Sequence, residues 1–449
     1  MSRLALQVSC VAQLLVVVDI SVVNVALPSI QTDLVMTEAA TPWVAMAYAL
    51  GFAGMLLVGA RLADVLGTTR VLTWGVAVFT VASLAGGLAG GAGLLIGARA
   101  AQGLAAAVVA PATLTLLTRT YAEGPARVRA IAWWTAVSVA GGGVGNITSG
   151  LLTDLVSWRA VLLVNLPVGL WVAVATRRLR RQREEPADSG RLDLTGAVLA
   201  TAGFTSATYA LAMAGQPDAG SVALLAGAVA AALLLTLVLH QRRSTRPLVP
   251  PELLRGPVLL GNVATALTAM AFQAALWYFL TYRMQDRLDY TALEAGLAFL
   301  PLTAGLIAVN TWLTPRLLRR WSPGLPVAWG AVLAALGLFA QAVAPDAPFL
   351  LAVVAPTALI GVGGGLVNTP LAAMVTTGVA PEHAGAASGL MNTGKQFGGA
   401  MGLAAGTAVA AATGSDAAPF VLMASLLAVV ALLGLRQAVL DRPVAALGR

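Results

Sequence analysis

Apolar runs of about twenty residues recur along the whole of this 449-residue chain, centred near residues 16, 51, 80, 102, 141, 166, 204, 231, 270, 303, 335, 358, 398 and 427. Runs of that length are long enough for a helix to cross the ~30 Å hydrocarbon layer of a bilayer. Hydrophobic residues make up 58% of the chain and charged residues 10%, against about 45–50% and 25% in soluble domains. A water-soluble fold of this size cannot hide that much apolar surface, since even a 300-residue fold buries only about 75% of what its unfolded chain exposes. The sequence therefore predicts an all-α membrane protein of fourteen spans with short loops. It speaks against a soluble enzyme, a nucleic-acid reader and a disordered chain.

Arginine placement supports the count. With a cytoplasmic N-terminus, 22 of the 27 basic residues fall in cytoplasmic segments, and three, Arg159, Arg283 and Arg287, fall outside. Arg99 and the single lysine, Lys395, lie within spans. This positive-inside bias places both termini in the cytoplasm. It also accounts for the net charge of +8 through anionic lipid rather than nucleic acid. The first run leads into Asp19, Ser21 and Asn24, not into a small-residue cleavage site, and reads as a first span rather than a cleaved signal. One cysteine, Cys10, and two histidines, His240 and His383, provide neither a disulfide framework nor a zinc set. No phosphate-binding G-x-x-x-x-G-K-[ST] loop occurs, which speaks against a self-contained ATP-driven pump; no metal and no cofactor are expected.

A charged linker near Arg177–Asp193 follows the sixth span, and a basic linker, His240–Pro257, follows the eighth. The expected organisation is a six-helix bundle at 1–176, linkers with two inserted helices at 177–256, and a second six-helix bundle at 257–449. An internal echo supports the division. Arg61-Leu62 followed by Trp74-Gly75 recurs as Arg316-Leu317 followed by Trp329-Gly330. Duplicated six-helix halves are a transporter plan.

Asp19 is the one carboxylate well inside a span, where an unpaired charge costs about 2.5–3.5 kcal/mol. It lies nine residues before Pro28 on the first helix, and Arg99 lies eight residues after Gly91 on the fourth. Both are then about 12–14 Å below the outer surface, at matching depth. Two readings stand: a static ion pair that locks helix packing, or a proton site. Burial favours the protonated carboxyl and a nearby guanidinium the ionised one, so a pair that opens and closes would bind and release a proton. Lys395 is too deep to snorkel easily. It faces a cavity or bonds backbone carbonyls. Embedded amides and aromatics, Asn24, Tyr48, Gln102, Trp133, Asn165, Gln273, Trp277, Tyr278, Asn310, Asn368, Asn392 and Gln396, line a substrate cavity or join helices by hydrogen bonds and interfacial contacts. The glycine-rich stretches 140–152 and 398–406 predict close helix packing.

Several ordered motifs carry a family resemblance. Residues 19–28, DISVVNVALP, resemble the D-x-T-x-x-N-x-A-L-P signature of the fourteen-span drug:proton antiporters of the major facilitator superfamily, the EmrB/QacA type, with Ser21 for Thr. Residues 60–70, ARLADVLGTTR, resemble its G-x-L-A-D-R-x-G-R-R-R gate, keeping Asp64, Gly67 and Arg70. Arg99, Gln102 and Gly103 match R-x-x-Q-G. Gly141, Gly145 and Gly150 match the antiporter motif G-x-x-x-G-P-x-x-G-G, with Asn146 for Pro and Ser149 for Gly. Trp158-Arg159 with Asn165-Leu166-Pro167-Val168-Gly169, Leu192-Asp193-Leu194-Thr195-Gly196, and 387–396 ending in Lys395-Gln396 complete the series.

The resemblance implies the major facilitator fold, two six-helix bundles plus two extra helices. It implies Asp19 as the proton-linked acid, Arg99 as its partner and Asp64 as a gate residue. The expected activity is proton-coupled efflux of drugs or secondary metabolites by alternating access, with a dedicated single-metabolite transporter as the other reading. The expected partners are a small molecule, protons and lipid, for a monomer in a bacterial plasma membrane.

Overall fold

The computed structural model describes residues 2–122, 125–180, 193–216, 219–244, 251–272, 276–343, 350–376, 379 and 384–441. Among them there is helix and turn and no strand. The helices are α1 (Ser2–Asp33), α2 (Trp43–Leu66), α3 (Thr68–Gly87), α4 (Ala92–Thr120), α5 (Pro125–Leu155), α6 (Trp158–Leu163), α7 (Asn165–Arg180), α8 (Leu194–Ala214) and α9 (Gly220–Arg243). They continue with α10 (Gly256–Ala271), α11 (Trp277–Tyr282), α12 (Ala292–Ala298), α13 (Leu300–Ala308), α14 (Thr314–Leu318), α15 (Gly324–Val343), α16 (Ala355–Thr376), α17 (Ala384–Thr413) and α18 (Ala418–Leu440). Short π-helical segments, Arg283–Arg287, Val309–Leu313 and Leu350–Val354, adjoin α11, link α13 to α14 and lead into α16.

Among the described residues nine helical stretches are long and apolar enough to cross a membrane, and three more, Trp43–Leu56, Val198–Ala214 and Gly256–Ala271, are apolar but shorter. Lipid as solvent is plainest at α9. Of its 24 residues only Ala230 is buried, while Leu224 and Leu225 are 78% and 68% exposed. A helix apolar all round with almost nothing covering it suits hydrocarbon, not water.

The chain forms two compact units. The first joins Met1–Leu248 with Trp277–Leu297, and the second joins Val249–Leu276 with Ala298–Arg449. In the first, α2 packs along α4, α3 along α4 and α7, α1 along α5, and α8 along α9. Glycines set the α2–α4 spacing: a Cβ on Gly51 would lie 2.8 Å from the Ala100 carbonyl oxygen, and one on Gly103 would overlap that of Tyr48. In the second unit α15 packs against α16 and α18, and α10 against α17. There Gly330 and Gly363 face each other, as do Gly324 and Gly434, each leaving no room for a side chain. Between apolar helices in lipid, such contact is the main source of association.

Candidate functional site

Five helices of the first unit bring polar groups to one buried point. The α4 helix, extended through its interior Pro111, presents Arg99 and Gln102 one turn apart on one face. Arg99 Nη1 donates to Asp19 Oδ2 of α1 at 2.5 Å and to Gln102 Oε1 at 3.0 Å. Its Nε donates to the Val44 carbonyl of α2 at 3.2 Å, and Nη2 to the Asp19 carbonyl at 3.5 Å. The guanidinium also lies 4.4 Å over the Tyr48 ring, whose hydroxyl donates to the Val16 carbonyl at 3.5 Å. Asp19 Oδ1 accepts from Gln102 Nε2 at 3.0 Å and from Asn165 Nδ2 of α7 at 2.7 Å. Both amides also donate to Ser83 Oγ of α3, at 2.7 and 3.3 Å.

Asp19, Ser83 and Gln102 are wholly buried, and Arg99 and Asn165 nearly so. Three side-chain donors, one of them cationic, converge on one buried carboxylate. Protonation would remove an acceptor from this network and weaken its hold on Arg99.

The cluster unites Asp19, Arg99, Tyr48, Gln102 and Asn165, all singled out in the sequence. Ser83 was not, because a lone serine in an Ala- and Gly-rich helix carries no pattern. The other candidates lie elsewhere. Asn24 is buried in α1 and, among the described residues, bonds only its own helix, at the Ile20 carbonyl. Trp133 is 60% exposed. Trp277 and Tyr278 lie on α11, where the Tyr278 ring packs 4.5 Å from that of Tyr282. Gln273 lies outside the described residues. In the second unit Asn310 accepts from Thr369 Oγ1 at 2.6 Å, Asn368 accepts from Lys395 at 3.3 Å, Asn392 is exposed and Gln396 is buried. A cavity of 340 Å³ in the first unit is lined by Pro28, Gln31, Thr32, Val35, Met36, Tyr282 and Asp286. None of the predicted cavity residues borders it.

The gate motif forms the turn between α2 and α3. Gly67 has φ +90° and ψ +132°, backbone that disfavours a Cβ. Arg70 is exposed on α3, and Asp64 lies on α2 with its side chain outside the description. In α5, Gly141 packs on Val17 and Gly145 on Ser21 of α1, while Gly150 packs on the backbone of Ala292 and Leu293. Asn146 and Ser149, which depart from the motif, are buried, and among the described residues neither amide atom nor the hydroxyl has a hydrogen-bond partner. Asp154, near the end of α5, accepts from the backbone amides of Ala292 and Leu293 at 3.2 and 2.8 Å. Arg159 and Trp158 both donate to Asp33, at 2.6 and 3.0 Å.

Where α8 begins, Asp193 accepts from the Gly196 amide, His240 Nε2 lies 2.9 Å away, and Gln241 donates at 2.9 Å. Burial raises the Asp193 carboxyl, but the amide, His240 and Gln241 outweigh it and hold it below the ordinary carboxylate range.

Residues 9–403 match the Major Facilitator Superfamily, and the chain belongs to that family of multi-pass membrane transporters, which are not enzymes. It is 48% identical over 406 residues to the cephamycin export protein CmcT of Amycolatopsis lactamdurans, covering 89% of this chain and 83% of the relative. It is 39% identical over 398 residues to the puromycin resistance protein pur8 of Streptomyces alboniger, covering 88% and 78%. The drug efflux pump JefA of Mycobacterium tuberculosis is 32% identical, covering 89% and 79%. A crystal structure of the peptide transporter POT superposes with a TM-score of 0.73 over 97% of this chain and 95% of that one, at 15% identity, and shares the fold.

Proposed function

We propose that this protein exports drugs or secondary metabolites in exchange for protons, by alternating access. The observation that carries this reading is the solitary embedded carboxylate, Asp19, held by Arg99, Gln102 and Asn165. Relatives named for antibiotic export and resistance support the substrate class. In the cycle, Asp19 gives its proton to the cytoplasm as substrate binds from that side. It takes one up from outside after substrate is released. Asp64, Gly67 and Arg70 act as the cytoplasmic gate, and the glycines of α5 with Asn146 as the antiporter motif. Embedded amides and aromatics form the substrate cavity, Asn310, Asn368, Asn392, Lys395 and Gln396 in the second unit among them.

The topology we propose has fourteen spans with both termini cytoplasmic, in a bacterial plasma membrane, as a monomer. Nine long apolar helices, three shorter ones, and α5 and α17 at 31 and 30 residues are consistent with it. So is a plan of bundles at 1–176 and 257–449 flanking an insert at 177–256.

The energetics suffice. A potential of 100 mV supplies about 2.3 kcal/mol per charge, and one pH unit about 1.4 kcal/mol. One proton per neutral molecule then sustains a gradient of roughly a few hundredfold. The test is a growth-inhibition and efflux panel comparing wild type with Asp19→Asn. We expect wild type to lower the accumulation of at least one compound, with the effect lost on collapse of the proton gradient and in the variant. Efflux that persists without a proton gradient refutes the coupling.

A further inference from the structure

The second unit contains a cation that the proton cycle leaves unused. Lys395 sits eleven residues from the start of α17 and eighteen from its end, about 16 and 27 Å along the helix. It is the only lysine in the chain. Its Nζ donates to one neutral acceptor, Asn368 Oδ1 of α16, at 3.3 Å. Among the described residues no carboxylate comes within ion-pair distance of it. The described acids of this unit, Glu252, Asp416 and Asp441, lie in a 3₁₀ turn, in the link from α17 to α18 and at the end of α18.

The contrast with Arg99 is physical. Arg99 spends its donors on a carboxylate, an amide oxygen and a backbone carbonyl and lies against a ring face. An ammonium has three N–H donors, and Lys395 spends one on a neutral group. Embedded charges in membrane proteins pair with one another, with carbonyls, or face a cavity.

The surroundings of Lys395 are open. Asn368 is exposed, and Asn392, one turn before Lys395 on the same face, is exposed as well. A Cβ placed on the neighbouring Gly394 would meet nothing within 4 Å. One turn before Asn368, on the same face of α16, a Cβ placed on Gly364 would lie 3.5 and 3.7 Å from the Leu306 and Phe272 side chains. The patch thus combines one unsatisfied cation, amides beside it and an apolar flank one turn away.

We propose that Lys395, with Asn368, is the anchor for the carboxylate of an amphipathic monoanionic substrate whose apolar body lies toward Leu306 and Phe272. A single ammonium flanked by neutral amides balances one negative charge. Along α16 and α17 there is no second Lys or Arg, which a phosphate dianion would call for. This inference rests on the export reading and narrows its substrate class.

The test uses two dyes that share one core. 7-(Diethylamino)coumarin-3-carboxylic acid is a monoanion at neutral pH, and its ethyl ester is neutral. Binding of each to the purified full-length protein in nanodiscs is measured by fluorescence anisotropy. Wild type should favour the acid over the ester by about tenfold or more, the scale of one charge-assisted hydrogen bond. Lys395→Gln should bring that ratio to near one, and Lys395→Arg should keep most of it. Equal affinity for the two dyes in wild type, absence of binding of either, or an acid preference that survives Lys395→Gln would overturn the proposal. Transport in proteoliposomes separates this from the parent reading. Acid-selective binding without proton-driven export of either dye sinks the export reading alone. Export of both dyes with no acid preference sinks the anchor alone.

Discussion

Asp19 and Arg99 offer a test that separates a structural ion pair from a working one. Replacing Asp19 by Asn keeps the shape of the side chain but strands a guanidinium that is only 1% exposed. Breaking a buried pair from one side costs about 3–5 kcal/mol. The new amide also faces donors on every side. If its oxygen accepts from Gln102 and Asn165, its N–H₂ points at Arg99; if turned, it points at the two amides. Either way one mismatch of about 1–3 kcal/mol is added. Asp19→Asn should therefore be markedly less thermostable and unable to export uphill.

The second step is Asp19→Asn combined with Arg99→Gln. The two carboxamides can bond each other, with Gln102 and Asn165 still donating to the oxygen at position 19, so most of the lost stability should return. Export should not, because no group remains to carry the proton. The assays are the thermal midpoint of the purified protein and substrate movement in proteoliposomes under an imposed pH gradient, with substrate exchange as a control for an intact cavity. A double variant that regains both stability and uphill export would show that the pair only holds helices together, and the reasoning would fail.

Other expectations concern local physics. Gly103→Val places methyl groups against the Tyr48 carbonyl and should cost at least the ~1–3 kcal/mol of overpacking. It should also lower export by displacing the Arg99 contacts on α2, and unchanged thermal midpoint and transport would contradict this. Ser149→Ala removes a buried hydroxyl without a partner among the described residues and should raise the melting temperature, by an amount reflecting about 1–3 kcal/mol. Gly67→Ala forces a Cβ onto a φ of +90° and should destabilise the α2–α3 turn by about 1 kcal/mol or more; protease susceptibility at this turn would report it. Asp193 is held below its ordinary range, so its contribution is present above the unfolded-state value of about 3.9 and is lost as pH falls through the lower folded value. Wild type should lose this increment on acidification below about pH 4, and Asp193→Asn should lack it throughout, as thermal midpoints at pH 7 and 3 would show.

Membrane class and helical content were legible in the sequence because lipid imposes a length and a polarity on every segment that crosses it. The presence of Asp19 and Arg99 at matching depth was equally legible, since depth follows from counting residues along a helix. Counting says nothing about azimuth. Which face of α4 meets α1, and whether Asn24 or Asn165 turns to the carboxylate, depends on rotations set by small-residue contacts such as Gly103 against Tyr48 and Gly145 against Ser21. Packing alone brought Ser83 into the cluster and turned Asn24 back onto its own helix. Among the described residues it likewise left Asn146 buried without partners and gave Lys395 a single neutral one. A sequence specifies how far along its helix a charge lies. Only the tertiary structure decides what that charge faces, because helix rotation is determined by contacts between residues distant in the chain.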